Sequence, residues 1–259
     1  MTAPARAEAP NRMVHVREER LDGDPPRHVH PGWARAYPWL VQGTTGRGGP
    51  DGDWDFGLSG AAPVGDSLRR WRLLQSAADM DRVVHSRQAH LDRVLSHDSG
   101  PPGLALSDGF DVHYTQRADV LLTVSVADCT PIFIVDCRRR RIALLHAGWR
   151  GTAHRIIERG LEPFASDLAA VQVHLGPAIC GPCYEVGPEV HQALRLPAPC
   201  GPATIDMRSL QARQLVEAGV PAANVSVSRH CTRCSTDFYS HRGGDASRQL
   251  GFLGIAEAP

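Results

Sequence analysis

The chain has 259 residues and a formal net charge of zero, with 42% hydrophobic and 22% charged residues, which is the composition of a globular protein with a buried core. A neutral chain has no general electrostatic attraction for nucleic acid or for an anionic membrane surface, so we expect neither as a partner. The longest apolar region, residues 120–135, is interrupted by Asp128 and Pro131 and is too short to span a bilayer.

The N-terminal residues lack the apolar core of a secretion signal. The chain has seven cysteines, and an odd number in a chain without an export signal favours reduced thiols over a disulfide framework. We therefore expect a cytoplasmic protein. The sequence does not indicate an oligomeric state.

Strand and helix patterns alternate along the chain. Residues 1–35 are rich in proline, alanine and charged residues and are predicted to form a loose lead-in, with His28 and His30 exposed to solvent. Residues 36–259 are predicted to form one domain. Within it, strands are predicted at 39–45, 82–85, 120–126, 132–136, 142–146, 171–175 and 225–228, a loop at 96–103, and helices at 66–77, 187–194, 208–218 and after Thr152 as an N-cap. This order predicts an α/β fold, a single domain with a mixed β-sheet layered with helices.

The segment ADCTPIFIVDCRRRRIALLHAGWRG, residues 127–151, contains two of the predicted strands. The four arginines at 138–141 lie between these strands and are predicted to form the exposed turn of a hairpin, not a nucleic-acid patch. This turn places Ile132 opposite His146. Cys129 lies further along, about 10 Å away on an extended strand, and the intervening proline favours a bend that returns it toward the histidine. The sequence therefore predicts that Cys129 and His146 share one end of the sheet.

A thiol and an imidazole in one place are compatible with three roles. Together with a third protein ligand they can bind Zn²⁺ and leave a fourth position for water or substrate. Alternatively, the imidazole of His146 deprotonates the Cys129 thiol, which becomes a nucleophile. The third role is structural, with a buried cysteine and a hydrogen-bonded core histidine. The glycines at positions 148 and 151 are predicted to leave the nearby backbone open to a ligand.

The motifs ADCTP, at residues 127–131, and HAGWRG, at residues 146–151, resemble those of the YfiH-type family, long described as multicopper polyphenol oxidoreductase or laccase-domain proteins. Three further segments are similar to family motifs: LGPAICGPCYEVG (175–187), TIDMRSLQARQLVEAGV (204–220) and HCTRCSTDFYSHRGGDASRQLGFLGI (230–255). The similarity extends from residue 39 to the C-terminus. It implies a fold shared with the deamidase domains of cytotoxic necrotizing factor toxins. It also implies a zinc-dependent purine nucleoside phosphorylase with adenosine deaminase activity.

The resemblance implies one Zn²⁺ per chain, bound by His90, Cys129 and His146, with an open fourth position. Two histidines, His85 and His90, match the family's first ligand. We favour His90 because the segment QAH, residues 88–90, keeps the family's glutamine, although a leucine follows where the family has glycine. Copper is less expected as the metal, since one such ligand set cannot supply the several copper centres of a multicopper oxidase.

The implied substrates are a purine nucleoside (adenosine, inosine, guanosine or methylthioadenosine) and phosphate. Arg150, in the turn after His146, is the first candidate for binding phosphate and Arg47 is the second, because a guanidinium can bind two phosphate oxygens at once. Tyr184 is expected to border the same pocket, and the expected catalytic residues are Cys129, His146 and Arg150. Three segments on the substrate side depart from the family pattern: TTGRGG (44–49), DFGLSG (55–60) and SHRGG (240–244).

Two CxxC pairs, Cys180 with Cys183 and Cys231 with Cys234, form a pattern that is typical of structural zinc sites. The gap between the pairs is longer than in a compact zinc ribbon, and these cysteines are not the metal ligands of the resembling family. Both points favour packed or pocket-lining thiols over a structural zinc.

Two other functions stay open on the sequence. A Cys/His amide hydrolase, of the peptidoglycan-precursor editing or deamidase type, would use Cys129 as the nucleophile and His146 as its base. A non-enzymatic binding module would instead be stabilised by zinc on the CxxC pairs, and chelation would unfold it.

Overall fold

The computed structural model describes residues 13–48, 54–58 and 63–257. Residues 1–12 of the predicted lead-in, and parts of the TTGRGG and DFGLSG segments, lie outside the described residues. Within the described ranges, no helix is both long and apolar enough to cross a lipid bilayer.

The secondary structure consists mainly of short strands. The strands are β1 (Val14–Val16), β2 (Glu19–Leu21), β3 (Arg27–Val29), β4 (Leu40–Thr45), β5 (Arg82–Arg87), β6 (Val94–Ser96), β7 (Gly103–Asp108), β8 (Val112–Thr115), β9 (Val120–Val126), β10 (Thr130–Asp136), β11 (Arg141–Ala147), β12 (Val171–Leu175), β13 (Glu185–Val186), β14 (Ala203–Thr204), β15 (Val225–Ser228) and β16 (Gln249–Ile255). The α-helices are α1 (Pro31–Ala36), α2 (Val64–Ala78), α3 (Trp149–Ala153), α4 (Ile156–Leu161), α5 (Pro188–Ala193) and α6 (Met207–Glu217). Short 3₁₀ turns occupy Glu162–Phe164, Leu168–Ala170, Gly181–Cys183 and Ala222–Asn224.

In the described part of the chain, the strands form two seven-stranded sheets and a two-stranded ribbon of β13 and β14. Sheet A has the order β1-β15-β12-β10-β11-β8-β6, and sheet B has the order β2-β3-β4-β16-β9-β5-β7. Each large sheet contains both parallel and antiparallel pairs. The predicted α/β class with mixed strand directions is confirmed, although two large sheets form where one was predicted.

The two sheets pack face to face, and the alternation of side chains along β10 defines the layers. Ile134 lies in a buried cluster with Leu215 of α6, whereas its neighbour Phe133 lies in a second cluster with Leu122 of sheet B. On sheet B, Leu121 belongs to a third cluster that also contains α2. The order of the layers is therefore α4 and α6, sheet A, sheet B, and α2.

The predicted hairpin is confirmed, with a small change of register. Strands β10 and β11 pair antiparallel, and Asp136 lies opposite Arg141, so the turn is centred half a residue earlier than predicted. His146 consequently lies opposite Pro131, not opposite Ile132. The expected consequence still holds, because the end of β11 and the start of β10 meet at one edge of sheet A.

The prediction of a loose lead-in is wrong for residues 13–35. Strand β1 pairs with β15 in sheet A, and β2 and β3 extend sheet B from β4. His28 and His30, predicted to be exposed, are only 2% and 8% accessible. The Glu18 carboxylate accepts a hydrogen bond from His174 at 2.8 Å and ties this segment to the core. Short edge strands have little apolar periodicity, which is why the composition suggested a loose segment.

The prediction that Thr152 caps a helix is also wrong. Helix α3 begins directly after Gly148, and the Thr152 hydroxyl lies inside it, donating to the Gly148 carbonyl at 2.8 Å. Arg155, with φ of 63°, then separates α3 from α4. Ile156 and Ile157 at the start of α4 are fully buried.

Besides β1, β2 and β3 of the lead-in, four strands of the large sheets were not predicted: β6, β7, β8 and β16. Of these four, the first three are short or half-exposed, with polar residues that hide the period of two. The apolar sequence pattern of strand β16 is interrupted by Gly251 and Gly254. A Cβ at Gly251 would lie 2.8 Å from the Cβ of Pro131, so the glycine is required by close packing of the two sheets.

The arginine turn is held by one buried carboxylate. The Asp136 side chain accepts hydrogen bonds from the amides of Arg138 and Arg139, both at 3.0 Å. It also accepts one from the Arg141 guanidinium at 2.7 Å. Burial raises the pKa of Asp136, but these donors hold it below its usual value. The turn is exposed at residues 138–140, as predicted, whereas the Arg141 side chain is only 14% accessible.

We expect Asp136→Ala to lower the free energy of unfolding by about 3 kcal/mol at pH 7, because Arg141 and two amides lose a buried acceptor. Urea denaturation measures this loss. Since folding lowers the pKa of Asp136, its stabilisation is present above the ordinary carboxyl pKa of about 4 and is lost as the pH falls below it. The difference between wild type and variant should therefore shrink in acid. Asp108→Ala, which removes an exposed ion pair with Arg87, is the control and should leave the midpoint unchanged.

Candidate metal centre

Three potential metal ligands meet where the chain passes from sheet B to sheet A. His90 follows β5 of sheet B, Cys129 connects β9 of sheet B to β10 of sheet A, and His146 lies on β11 of sheet A. One ligand atom from each side chain lies within 4.8 Å of the other two. The imidazole rings of the two histidines are perpendicular, with centroids 4.6 Å apart. Of these residues, His146 is buried, Cys129 is half-buried and His90 is exposed.

The loop that carries His90 is held by the side chain of Gln88. Its amide donates to the Ser125 carbonyl at 2.8 Å, and its carbonyl oxygen accepts from the Ser125 amide at 2.7 Å. Strands β5 and β9 pair in parallel as far as Val84 opposite Leu122. The bonds of Gln88 extend this contact with β9 beyond the last paired residues. The glutamine that favoured His90 in the sequence therefore has a structural role.

His85, the competing candidate, lies on β5 and is occupied by other contacts. Its Nδ1 is 3.1 Å from the Thr123 hydroxyl, and its Nε2 is 3.3 Å from the Ser125 hydroxyl. Burial lowers its pKa to about 4, so the ring is neutral at physiological pH. His90, not His85, belongs to the group of converging ligands.

A buried carboxylate that the sequence did not single out organises the site. Asp111 accepts hydrogen bonds from three consecutive amides, those of residues 89–91, each at 3.0 Å. It also accepts a hydrogen bond from Nδ1 of His146 at 2.8 Å, which leaves Nε2 as the ring atom available to a metal. Asp111 precedes β8, a strand that was not predicted. The local sequence pattern therefore did not predict that Asp111 lies beside the ligands.

The thiol and the imidazole have opposite pKa shifts. Burial raises the pKa of Cys129, but the charge of His146 and hydrogen bonds with His146 and His90 lower it to about 6. Burial lowers the pKa of His146, whereas the Cys129 thiolate and the Asp111 carboxylate raise it to about 9. Without a metal, the pair is therefore a thiolate and an imidazolium at neutral pH. Binding of a metal would release the imidazolium proton.

Gly148 is required by the ligands themselves. A Cβ at this position would lie 2.9 Å from the Cys129 sulfur and 3.4 Å from Cδ2 of His90. This glycine therefore leaves room for the side chains of two candidate ligands. A Cβ at Gly151 would likewise lie 3.3 Å from the Leu91 carbonyl.

Tyr184 lies beside the converging ligands. Burial, followed by the negative charges of Cys129 and Asp128, raises its pKa to about 12, while Arg242 and Arg150 act in the opposite direction. At neutral pH the hydroxyl is therefore protonated and can donate a hydrogen bond.

The arginines around the site differ in their contacts. Arg242 donates to the Glu185 carbonyl at 2.6 Å, and its guanidinium is 5.3 Å from the centroid of the Tyr184 ring. The Arg150 guanidinium lies 4.3 Å from the centroid of its neighbour Trp149. Arg47 instead contacts Asp245 at 3.5 Å and stacks on Tyr239, so its charge is partly neutralised.

The comparison with protein families agrees with this geometry. The sequence profile of the family described as multi-copper polyphenol oxidoreductase laccase matches residues 64–256. This chain belongs to that family. It is the family that the ADCTP and HAGWRG motifs resemble, and the candidate ligands Cys129 and His146 lie in those motifs.

Relatives within the laccase family cover most of the chain. The adenosine deaminase RL5, from an unknown prokaryotic organism, is 38% identical, in an alignment that covers 70% of this chain and 78% of that protein. The purine nucleoside phosphorylase YlmD of Geobacillus stearothermophilus is 32% identical, in an alignment that covers 87% of this chain and 95% of that protein.

Two solved structures confirm the predicted fold. The crystal structure of YlmD from Geobacillus stearothermophilus has a TM-score of 0.84 and 27% identity, and covers 93% of this chain and 100% of that chain. The Bacillus licheniformis protein YfiH has a TM-score of 0.81 and 25% identity, and covers 91% of this chain and 98% of that chain.

The role of Asp111 in this laccase-family site can be measured with Zn²⁺ as the probe. Asp111→Asn keeps the size of the side chain but removes the charge that orients His146, and we expect zinc affinity to fall about 10- to 100-fold. Competition with a chromogenic chelator measures the zinc affinity. The zinc that the Cys129→Ala variant still binds is subtracted from the zinc bound by each protein. Asp92→Asn, which alters a half-exposed carboxylate in the same loop, is the matched control. Equal affinities for Asp111→Asn and wild type would contradict this role.

Proposed function

We propose that this chain is a zinc-dependent purine nucleoside phosphorylase that also deaminates adenosine. The observation that carries the proposal is the convergence of His90, Cys129 and His146 in front of the buried Asp111 carboxylate. The names of the relatives, a purine nucleoside phosphorylase and an adenosine deaminase, support the reaction class. The substrates proposed are phosphate and adenosine, inosine, guanosine or methylthioadenosine.

The donor set fits zinc. One thiolate and two imidazoles are nitrogen and sulfur ligands of the kind zinc prefers, and three protein ligands are typical of catalytic zinc sites. The hydrogen bond from His146 to Asp111 fixes the tautomer that a metal needs. Bound zinc would supply positive charge and one open coordination position, which can lower the pKa of a water molecule toward about 7.

Several copper centres would need several histidine-containing ligand groups. The described residues contain two groups of potential metal ligands. One is His90, Cys129 and His146, and the other consists of cysteines alone. The donor sets therefore favour zinc over a multicopper cluster, despite the name of the family.

The chain's own residues suit phosphorolysis. In this reaction a phosphate oxygen forms a bond to the anomeric carbon of ribose, and the bond from that carbon to the purine nitrogen breaks, with the electron pair leaving on the purine. Arg150 and Arg242, whose charges both act on Tyr184, can bind and orient the phosphate oxygens. The neutral Tyr184 hydroxyl can donate a hydrogen bond to the same anion. Arg47 is a weaker candidate because Asp245 already accepts from it.

A cytoplasmic location belongs to the same proposal. All seven cysteines are free thiols in the structure, which agrees with a reducing compartment.

The test is a nucleoside panel assayed with and without phosphate on protein of known metal content. We expect hypoxanthine to be released from inosine only when phosphate is present, and Cys129→Ala to abolish release. Arg150→Ala should raise the KM for phosphate about 10-fold or more, because a charge-assisted hydrogen bond contributes roughly 1.5–3 kcal/mol. The control is Arg138→Ala, an exposed arginine on the hairpin turn at the opposite end of β10.

Two outcomes would contradict the proposal. One is full activity in protein from which the metal has been removed. The other is release of the purine base at the same rate without phosphate.

A second candidate function, a Cys/His amide hydrolase, is favoured by one specific observation. Cys129, His146 and Asp111 form a sequence of thiolate, imidazole and carboxylate, which is the arrangement of a cysteine nucleophile with its oriented base. Iodoacetamide separates the two functions. Under the first proposal excess zinc protects Cys129 from alkylation, whereas alkylation that persists in excess zinc and stops amide hydrolysis would favour the second.

A further inference from the structure

Four cysteines outside the candidate metal centre lie together in the fold. They are Cys180, Cys183, Cys231 and Cys234, and their sulfur atoms all lie within 4.8 Å of one another. The distance between the sulfurs of Cys183 and Cys234 is 3.3 Å. The sequence favoured packed thiols for two reasons: the CxxC pairs are far apart along the chain, and they are not the metal ligands of the resembling family. The fold removes the first reason.

Strand pairing brings the two pairs together. β12 and β15 are parallel neighbours in sheet A, with Leu175 opposite Val227, so both strands end at the same edge. Each strand leads within a few residues to a CxxC segment. An isolated parallel bridge between Ala178 and Cys231 continues the pairing beyond the strands.

The local backbone supports each pair as a metal-binding turn. The amide of Cys183 donates to the Cys180 carbonyl at 3.1 Å, and the amide of Ser235 donates to the Cys231 carbonyl at 3.0 Å. In each turn the two sulfurs lie within 4.8 Å of each other. In addition, the Cys180 amide donates to the Cys231 sulfur at 3.2 Å, a contact that stabilises a thiolate.

We propose that Cys180, Cys183, Cys231 and Cys234 bind a structural Zn²⁺, separate from the metal at His90, Cys129 and His146. A tetrahedral zinc with four sulfurs at about 2.3 Å has sulfurs about 3.8 Å apart, which the cluster reaches with small movements. Four protein ligands leave no open coordination position, so this ion has no substrate. Binding releases the proton of each coordinating thiol.

The proposed zinc joins two loops that border the candidate metal centre. Cys183 is followed directly by Tyr184, and its carbonyl accepts a hydrogen bond from Arg233 at 3.2 Å. On the second loop, the Thr232 hydroxyl donates to the Asp128 carboxylate at 2.6 Å, next to Cys129. The ion therefore fixes the position of the loop that carries Tyr184 beside the candidate metal centre, without contacting a substrate.

The experiment measures metal content by mass spectrometry in the full chain, purified without chelator and loaded with excess Zn²⁺. We expect two zinc ions per chain in wild type and one in Cys129→Ala. We also expect one in the double variant Cys183→Ser/Cys234→Ser. The control is Cys200→Ser, since Cys200 is exposed and outside the cluster; it should keep both ions.

Spectroscopy keeps the test decisive if the double variant does not fold. After reconstitution of Cys129→Ala with Co²⁺, we expect the intense thiolate-to-metal charge-transfer bands of a tetrahedral all-sulfur site. We expect chelation of the same variant to lower its Tm. Because this variant lacks a ligand of the candidate metal centre, the result does not depend on whether the phosphorylase proposal holds.

Two results would overturn the proposal. The first is Cys129→Ala protein that binds no metal after loading. The second is a thiol titration of denatured, metal-free wild type that finds fewer than the seven free thiols of the structure, because the cluster would then form disulfides.

Discussion

The buried carboxylate of Asp111 is the constraint on which the candidate metal centre depends. It holds the amides of residues 89–91 and the ring of His146, and so it joins a loop of sheet B to a strand of sheet A. His90 has φ of 59°, a conformation that is unfavourable for a residue with a side chain. The hydrogen bonds to Asp111 offset this strain, and the ligand is positioned before any metal arrives.

The same three groups suit metal binding and nucleophilic chemistry alike. The Cys129 thiol is acidic because it lies beside His146, and the basicity of His146 depends in turn on Asp111. With a metal, the thiolate and the neutral ring are both ligands. Without a metal, the thiolate is a nucleophile and His146 is the imidazolium that holds the thiol proton. The distinction between the two enzyme classes therefore lies in metal occupancy, not in the arrangement of the side chains.

The sequence predicts the centre of the fold better than its edges. The segments at 120–126, 171–175 and 225–228 coincide with β9, β12 and β15, because buried strands are continuous runs of apolar and β-branched residues. Strands β2, β3 and β7 are short or polar and lie at or near the edges of sheet B, so a local pattern does not distinguish them from loops.

The site shows the same limit. The hairpin of β10 and β11 can be counted along the chain, and that count places Cys129 near His146. Asp111 and the meeting of the two CxxC pairs depend on contacts between segments that are distant in sequence, for which one sequence holds no periodic signal. His90 was identified through the family motif that QAH resembles, and a Cβ at Gly148, in the separate HAGWRG motif, would lie 3.4 Å from its Cδ2.

The parallel alignment of β12 and β15 has a consequence for how this protein can diverge. The distance between the two cysteine pairs is set by sheet hydrogen bonds and not by the chain that connects them. Insertions or deletions in the exposed connection between α5 and β14 can therefore accumulate without separating the pairs. Related proteins could lengthen or shorten this connection freely. A one-residue shift in the register of β12 and β15, in contrast, would move the two cysteine pairs apart.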